Sequence, residues 1–190
     1  MAELSPDEWM VQLLNFVNFI LGWVIFGFAL NGRSKFSTVA SERAHGAHTL
    51  ESDLEGVVVT IAVLSVLVSL VTAYVSYFLH MYVRRHLDTT SMHYRQTDAA
   101  QDSTWMKVAE ITIVALSFIA AWVMTGLAIP TYIATDSIAL IPGVFNQENK
   151  DDTRQVFLTI MWCSIVLAVT KTINLIVSHV WVVEARKKMS

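Results

Sequence analysis

One basic residue of the sequence lies inside a long apolar stretch, where a charge is unusual. Lys171 falls near the middle of residues 156–183. A lysine at the centre of a membrane helix costs about 2.5 to 3.5 kcal/mol, so it is expected to face other helices and to find a partner. Glu110 is the acidic residue well inside another apolar stretch. The sequence predicts a Lys171–Glu110 pair, which is either a structural ion pair or part of a site for an ion, a proton or a headgroup.

Polar residues from all four apolar stretches are expected at a depth similar to that of this pair. With a helical rise of about 1.5 Å per residue, measured from one shared end, they fall within one half of a bilayer. We call this predicted set the polar layer. Its members are Lys171, Glu110, Asn174, Asn15, Asn18 and His80.

Small polar residues recur along the second apolar stretch at intervals of three or four. This spacing places them on one face of a helix, where they would let another helix approach closely. A packing seam is therefore predicted; the alternative is a hydrophilic pathway ending at His80. The seam consists of Ser65, Ser69, Thr72 and Ser76. The third stretch repeats the pattern with Glu110, Val114, Ser117, Ala121, Thr125 and Ala128.

Two histidines offer a different chemistry. His80 and His179 lie near the same end of their stretches, where two imidazoles could ligate a haem between helices. Residues 42–45, together with Asp53 and Glu55, resemble the loop of the four-span microsomal glutathione transferases, which hold glutathione with Arg, Asn and Glu. The spacing here differs and the Asn is absent. A haem- or glutathione-linked membrane enzyme is therefore a further alternative.

The sequence lacks the motifs of common soluble enzymes and of nucleic-acid binders. No HExxH, CxxC or phosphate-binding loop occurs, and Cys163 is the single cysteine, so no intrachain disulfide can form. The net charge is −3 and no long basic run is present, which makes nucleic acid an unexpected partner. We predict no catalytic residue, no metal site and no cofactor, with haem as the exception above.

The composition explains which elements position these residues. Hydrophobic residues make up 54% of the chain and charged residues only 15%, whereas soluble proteins carry about 25% charged residues. Crossing a bilayer takes about 20 apolar residues in a helix, and four stretches are long enough. The sequence predicts an all-α integral membrane four-helix bundle, a single domain over residues 1–190 with bound lipid. Its spans are placed at about 9–30, 56–83, 105–133 and 156–183.

The flanking charges predict an orientation. Lysines and arginines favour the cytosolic side, and with both termini inside the inner side carries seven against five outside. Met1 to Asp7 lack the basic start of a signal peptide, so the first span is expected to direct its own insertion. The last residues, Lys187, Lys188, Met189 and Ser190, match the K-K-x-x retrieval signal of the endoplasmic reticulum. Both termini are therefore predicted in the cytosol.

These features favour a non-catalytic role. We expect a structural or accessory subunit of a membrane assembly, which contacts the lipid bilayer and either other membrane subunits or further copies of itself. The alternative is a small channel or transporter subunit that uses the polar layer.

Overall fold

The computed structural model describes residues 6–43, 50–88, 104–138 and 146–189, and its side chains within 9–36, 53–77, 112–138 and 146–177. The described regular structure is entirely helical. The four helices are α1 (Pro6–Arg43), α2 (Leu50–Asp88), α3 (Thr104–Thr135) and α4 (Gln147–Met189).

All four helices are long and apolar enough to cross a membrane. Their apolar segments are Trp9–Phe36, Asp53–Tyr77, Thr112–Thr135 and Gln147–Val177 among the described residues. Each helix extends beyond the apolar stretch that predicted it. Helical hydrogen bonds need no apolar side chains, so hydropathy marks where a helix can enter lipid and not where it ends.

Local sequence signals explain two helix features. Pro130 lies inside α3, which continues through it to Thr135. A proline removes only one helical hydrogen bond, a loss that a long apolar helix packed against its neighbours tolerates. At the start of α4, Asn146 Oδ1 accepts a hydrogen bond from the Asn149 backbone N–H at 2.8 Å, which is an N-cap contact.

The helices form a closed ring of contacts. Helix α1 packs against α2, α2 against α3, α3 against α4, and α4 against α1. Among the described residues the two diagonal pairs, α1 with α3 and α2 with α4, have no close backbone approach. In neighbouring helices the end of one lies beside the beginning of the other. Neighbouring helices are therefore antiparallel, as in an up-down-up-down bundle.

One end of this bundle carries ion pairs between helices, and we call it the charged end. Arg33 Nε lies 3.1 Å from Glu55 Oε1 and joins α1 to α2. Lys35 Nζ lies 2.6 Å from Asp152 Oδ2 and joins α1 to α4. Arg154 Nε lies 3.6 Å from Asp136 Oδ1, which joins α4 to the residues that follow α3.

The bundle half next to the charged end has a dry core. Its largest fully buried side chains include Ile25, Phe36, Ile61, Met124 and Phe157. The rings of Phe36 and Phe157 stack, with centroids 4.8 Å apart and planes 14° from parallel. The centre of this half is therefore filled by apolar side chains, and its ion pairs lie at the end of the bundle.

Candidate functional site

Lys171 reaches across the bundle rather than along it. Its Nζ donates a hydrogen bond to Thr72 Oγ1 at 2.6 Å, from α4 to the diagonally opposite α2. Thr72 is fully buried, and its hydroxyl also donates to the Val68 carbonyl of its own helix at 2.6 Å. A threonine hydroxyl can donate once and accept at the same time, so Thr72 supplies an oxygen to the ammonium without losing its helical contact.

Two side-chain pairs join α4 to α1 at the same level. Asn174 Nδ2 donates to Asn15 Oδ1 at 2.5 Å, and Thr170 Oγ1 donates to Asn18 Oδ1 at 2.5 Å. Because Thr170 and Lys171 are consecutive, the α1 pairs and the α2 contact lie within about one helical turn of each other. We call these residues the Lys171 cluster: Asn15, Asn18, Thr72, Thr170, Lys171 and Asn174.

The cluster lies far from the charged end. Lys171 is roughly 28 Å along α4 from Asp152 at the usual helical rise. Among the side chains that the structure describes, Lys171 is the only charged one outside that end. The cluster is therefore an isolated positive centre among neutral polar groups.

Several buried polar atoms of this region have no hydrogen-bond partner. They are Asn15 Nδ2, Asn18 Nδ2 and Ser117 Oγ. Asn15 and Asn18 are only 2% and 0% exposed, so water does not satisfy them from outside. A buried polar atom without a partner costs about 1 to 3 kcal/mol. These atoms therefore either lower the stability of the bundle or bind a ligand or water.

The structure brings together only part of the predicted polar layer. Asn15, Asn18, Lys171 and Asn174 share the Lys171 cluster. The side chains of Glu110 and His80 lie outside the described residues, so the Lys171–Glu110 pair stays a prediction. The same holds for the haem candidates His80 and His179. A Soret band in the visible spectrum of the purified protein would support haem binding, and the absence of this band would exclude haem binding.

The predicted seam on α2 faces α1. Ser65, Ser69 and Thr72 are buried, and Ser76 is partly exposed. Ser69 Oγ donates to the Ser65 carbonyl at 2.9 Å and approaches the Phe19 carbonyl of α1 at 3.4 Å. Opposite these serines stands Gly22, where an added Cβ would collide with Ser69 Oγ and lie 3.0 Å from the Ser65 carbonyl oxygen. The two backbones thus approach closely because one side offers glycine and the other serine.

A groove adjoins the Lys171 cluster between α1 and α2. It has a volume of about 220 Å³. Asn15 lines it together with Gln12, Phe16, Phe19, Ala73 and Ser76. A second groove of about 300 Å³ runs between the same helices nearer the charged end, and its lining is mostly apolar. Among the described side chains no group of three or more His, Cys, Asp or Glu is placed to hold a metal.

Sequence reasoning missed several contributors. Thr170 did not enter the predicted polar layer, although it holds Asn18. Thr125 Oγ1 bonds to the Ser164 carbonyl at 3.0 Å and so links α3 to α4 through a backbone acceptor that no side-chain pattern reveals. Thr170 could have been found from its spacing, because it lies four residues before Asn174 and therefore on the same helical face.

Comparison of the whole chain with protein-family models, with curated proteins and with solved structures finds no significant match. The assignment of function therefore depends on the geometry described above.

Proposed function

We propose that this chain is an integral membrane protein with four crossings. Support comes from the four apolar helices and from the bulky apolar side chains that all of them expose, such as Phe16, Leu67, Leu116 and Trp162. In water such a surface would aggregate, whereas in lipid it is the expected outer face. With four antiparallel crossings, both ends of the described chain emerge on one side.

That side is the cytosolic one in this proposal, and the charged end is the outer one. The support is the excess of lysine and arginine at the opposite end, which includes Arg84, Arg85 and Arg186. Residues 187–190 would then lie where a retrieval signal of the endoplasmic reticulum is read. A reporter fused after Ser190 that is active only in the cytosol tests this orientation.

Within the membrane, the chain acts as a non-catalytic structural or accessory subunit. One observation carries this proposal: several of the described interior polar side chains form hydrogen bonds from one helix to another. Asn174 bonds Asn15, Thr170 bonds Asn18, and Thr125 bonds the Ser164 carbonyl. In lipid, helices associate through close packing and such hydrogen bonds, so a bundle held this way is suited to be a rigid partner for other membrane helices.

The test is the mass of the intact assembly from the native membrane. We expect purification in a gentle detergent or in native nanodiscs to yield a stoichiometric complex, either with other subunits or with further copies of this chain. A chain that arrives alone, at the mass of a monomer with lipid, would contradict the subunit proposal. A crosslinking control on intact membranes distinguishes a true monomer from a complex that detergent has dissociated.

A second candidate is a small channel or transporter subunit, which the isolated charge of Lys171 favours. Against a continuous path stands the dry core next to the charged end, where Ile25, Ile61 and Met124 are fully buried. Lys171→Ala decides between the two roles. If assembly persists while conductance or transport is lost, the transport role is supported; loss of folding supports the structural role.

A further inference from the structure

We propose that the Lys171 cluster binds one anionic oxygen group, a carboxylate or a phosphate. This site goes beyond the subunit role and does not depend on it. The group reaches the cluster through the groove between α1 and α2.

Charge favours an anion at this place. The described hydrogen-bond partner of the Lys171 ammonium is the neutral Thr72, and the other members of the Lys171 cluster, the Asn and Thr residues on α1 and α4, are also neutral. An ammonium carries three N–H donors, and Thr72 accepts one of them. A cation in a low-dielectric interior is costly unless an opposite charge and further acceptors compensate it. The cluster therefore calls for an anion.

The polar atoms without partners favour an acceptor. Asn15 Oδ1 and Asn18 Oδ1 already accept hydrogen bonds from α4, so the open atoms on α1 are the two Nδ2 donors. The third open atom, Ser117 Oγ on α3, is a hydroxyl that can donate or accept. Together with the ammonium, every open position can therefore donate. An oxygen anion fits them, because it offers several acceptor sites and its charge-assisted hydrogen bonds are about twice as strong as neutral ones.

A groove gives access to the cluster. Asn15 lines the groove of about 220 Å³ between α1 and α2, and Ala73, which directly follows Thr72, lines its other side. Phe16 and Ala73 are exposed, so the groove opens on the side of the bundle. This volume suits a carboxylate or phosphate but not a whole lipid. The anion is either the polar end of a membrane amphiphile, whose chain stays outside the groove, or a free anion from water.

The experiment compares two probes on the full-length protein. In one arm, nanodiscs of phosphatidylcholine with or without phosphatidic acid are used, and retained lipid is counted by native mass spectrometry. In the other arm, inorganic phosphate is titrated onto protein in phosphatidylcholine alone, and the thermal unfolding midpoint is followed. Wild type is expected to retain one phosphatidic acid or to be stabilised by phosphate, and the responding arm identifies the source.

Lys171→Met is expected to weaken that binding by about 10- to 100-fold, which corresponds to the loss of one hydrogen bond to a charged group. Lys35→Met is the matched control at the charged end and is expected to bind like wild type. Equal binding by K171M and wild type would overturn the proposal.

A second pair of variants keeps the test valid if K171M does not fold. Thr72→Asp places a carboxylate beside the ammonium, so it is expected to fold and to release the anion. Thr72→Asn has the same shape without the charge and is expected to keep binding. If T72D binds like T72N, the proposal fails. Wild type that binds neither probe would overturn the proposal, and a gain of binding in Glu110→Gln would then support the Lys171–Glu110 pair in its place. The mass of the intact assembly tests the subunit role separately, because it does not depend on whether an anion binds.

Discussion

Lys171 and Thr72 are hydrogen-bonded at 2.6 Å although their helices are diagonal neighbours in the ring. The long lysine side chain spans a gap that the two backbones do not close. Its ammonium therefore lies inside the bundle, at the level of the Asn pairs between α1 and α4.

Removing the Thr72 hydroxyl tests how much this contact contributes. Thr72→Val keeps the shape but leaves the ammonium without its oxygen, and we expect the free energy of unfolding to fall by about 1.5 to 3 kcal/mol. Thr60→Val is the control, because Thr60 is exposed and its hydroxyl bonds only to the Gly56 carbonyl of its own helix. Unfolding in mixed micelles measures both. An equal loss in the two variants would show that the diagonal contact contributes nothing.

The approach of α1 to α2 depends on the missing side chain at Gly22. We expect Gly22→Ala to destabilise the bundle by about 1 to 3 kcal/mol, since its Cβ would meet Ser69 Oγ and the Ser65 carbonyl. Gly27→Ala is the matched control on the same helix, where an added Cβ meets nothing within 4 Å. That variant is expected to be neutral or slightly stabilising, because alanine favours helix more than glycine does. Thermal unfolding that ranks the two variants in the opposite order would contradict this packing.

The Asn15–Asn174 pair is best measured by a double-mutant cycle. Single alanine variants at Asn15 and Asn174, with the double variant, isolate the coupling between the two side chains. Interhelical hydrogen bonds in membrane bundles average about 0.6 kcal/mol with a maximum near 1.7, and we expect a value toward the upper part of that range because the pair is buried. A coupling of zero would mean that the two amides do not bond in the folded protein.

The charged end and the dry core should differ sharply in their contribution to stability. Phe157→Ala removes a fully buried ring that stacks on Phe36, and we expect a loss of about 3 to 5 kcal/mol. Asp152→Asn breaks the ion pair with Lys35. The side chain of Asp152 is 66% exposed and that of Lys35 is 21% exposed. Exposed pairs contribute about 0 to 1 kcal/mol, so this variant should be nearly neutral. Measurements at low and high salt would reveal any larger ionic contribution.

The sequence predicted the helices well because hydrophobicity and helix formation coincide over most of their length. The structure contains four helices long and apolar enough to cross a membrane, at the predicted places. Most of the inward face of α3 was also predictable: Ser117, Ala121, Thr125 and Ala128 recur with the helical period and are buried. Val114, predicted on the same face, is only half-buried, and the side chain of Glu110 lies outside the described residues. Periodicity reports which side of a helix differs from the rest, and here that side is the interior.

The partners of Lys171 were not predictable in the same way. The sequence gives the depth of a residue through helical rise, but it does not give the rotation of one helix against another. Charge complementarity pointed to Glu110, whose side chain lies outside the described residues, and it gave no indication of Thr72, the described partner of Lys171. Contacts to backbone carbonyls, such as that of Thr125 with Ser164, leave no trace in side-chain patterns.

The ring arrangement of the helices has a mechanical consequence. Four rods that touch only their ring neighbours can shear from a square into a rhombus, because every side keeps its length while the diagonals change. Near the charged end, the interdigitated core side chains fill the centre and resist this distortion. In the other half, the Lys171–Thr72 hydrogen bond fixes the length of one diagonal. Val68 and Leu167 continue the core into this half. An ammonium that exchanged Thr72 for another acceptor would remove the link along that diagonal, so the resistance of this half to shear depends partly on a single hydrogen bond.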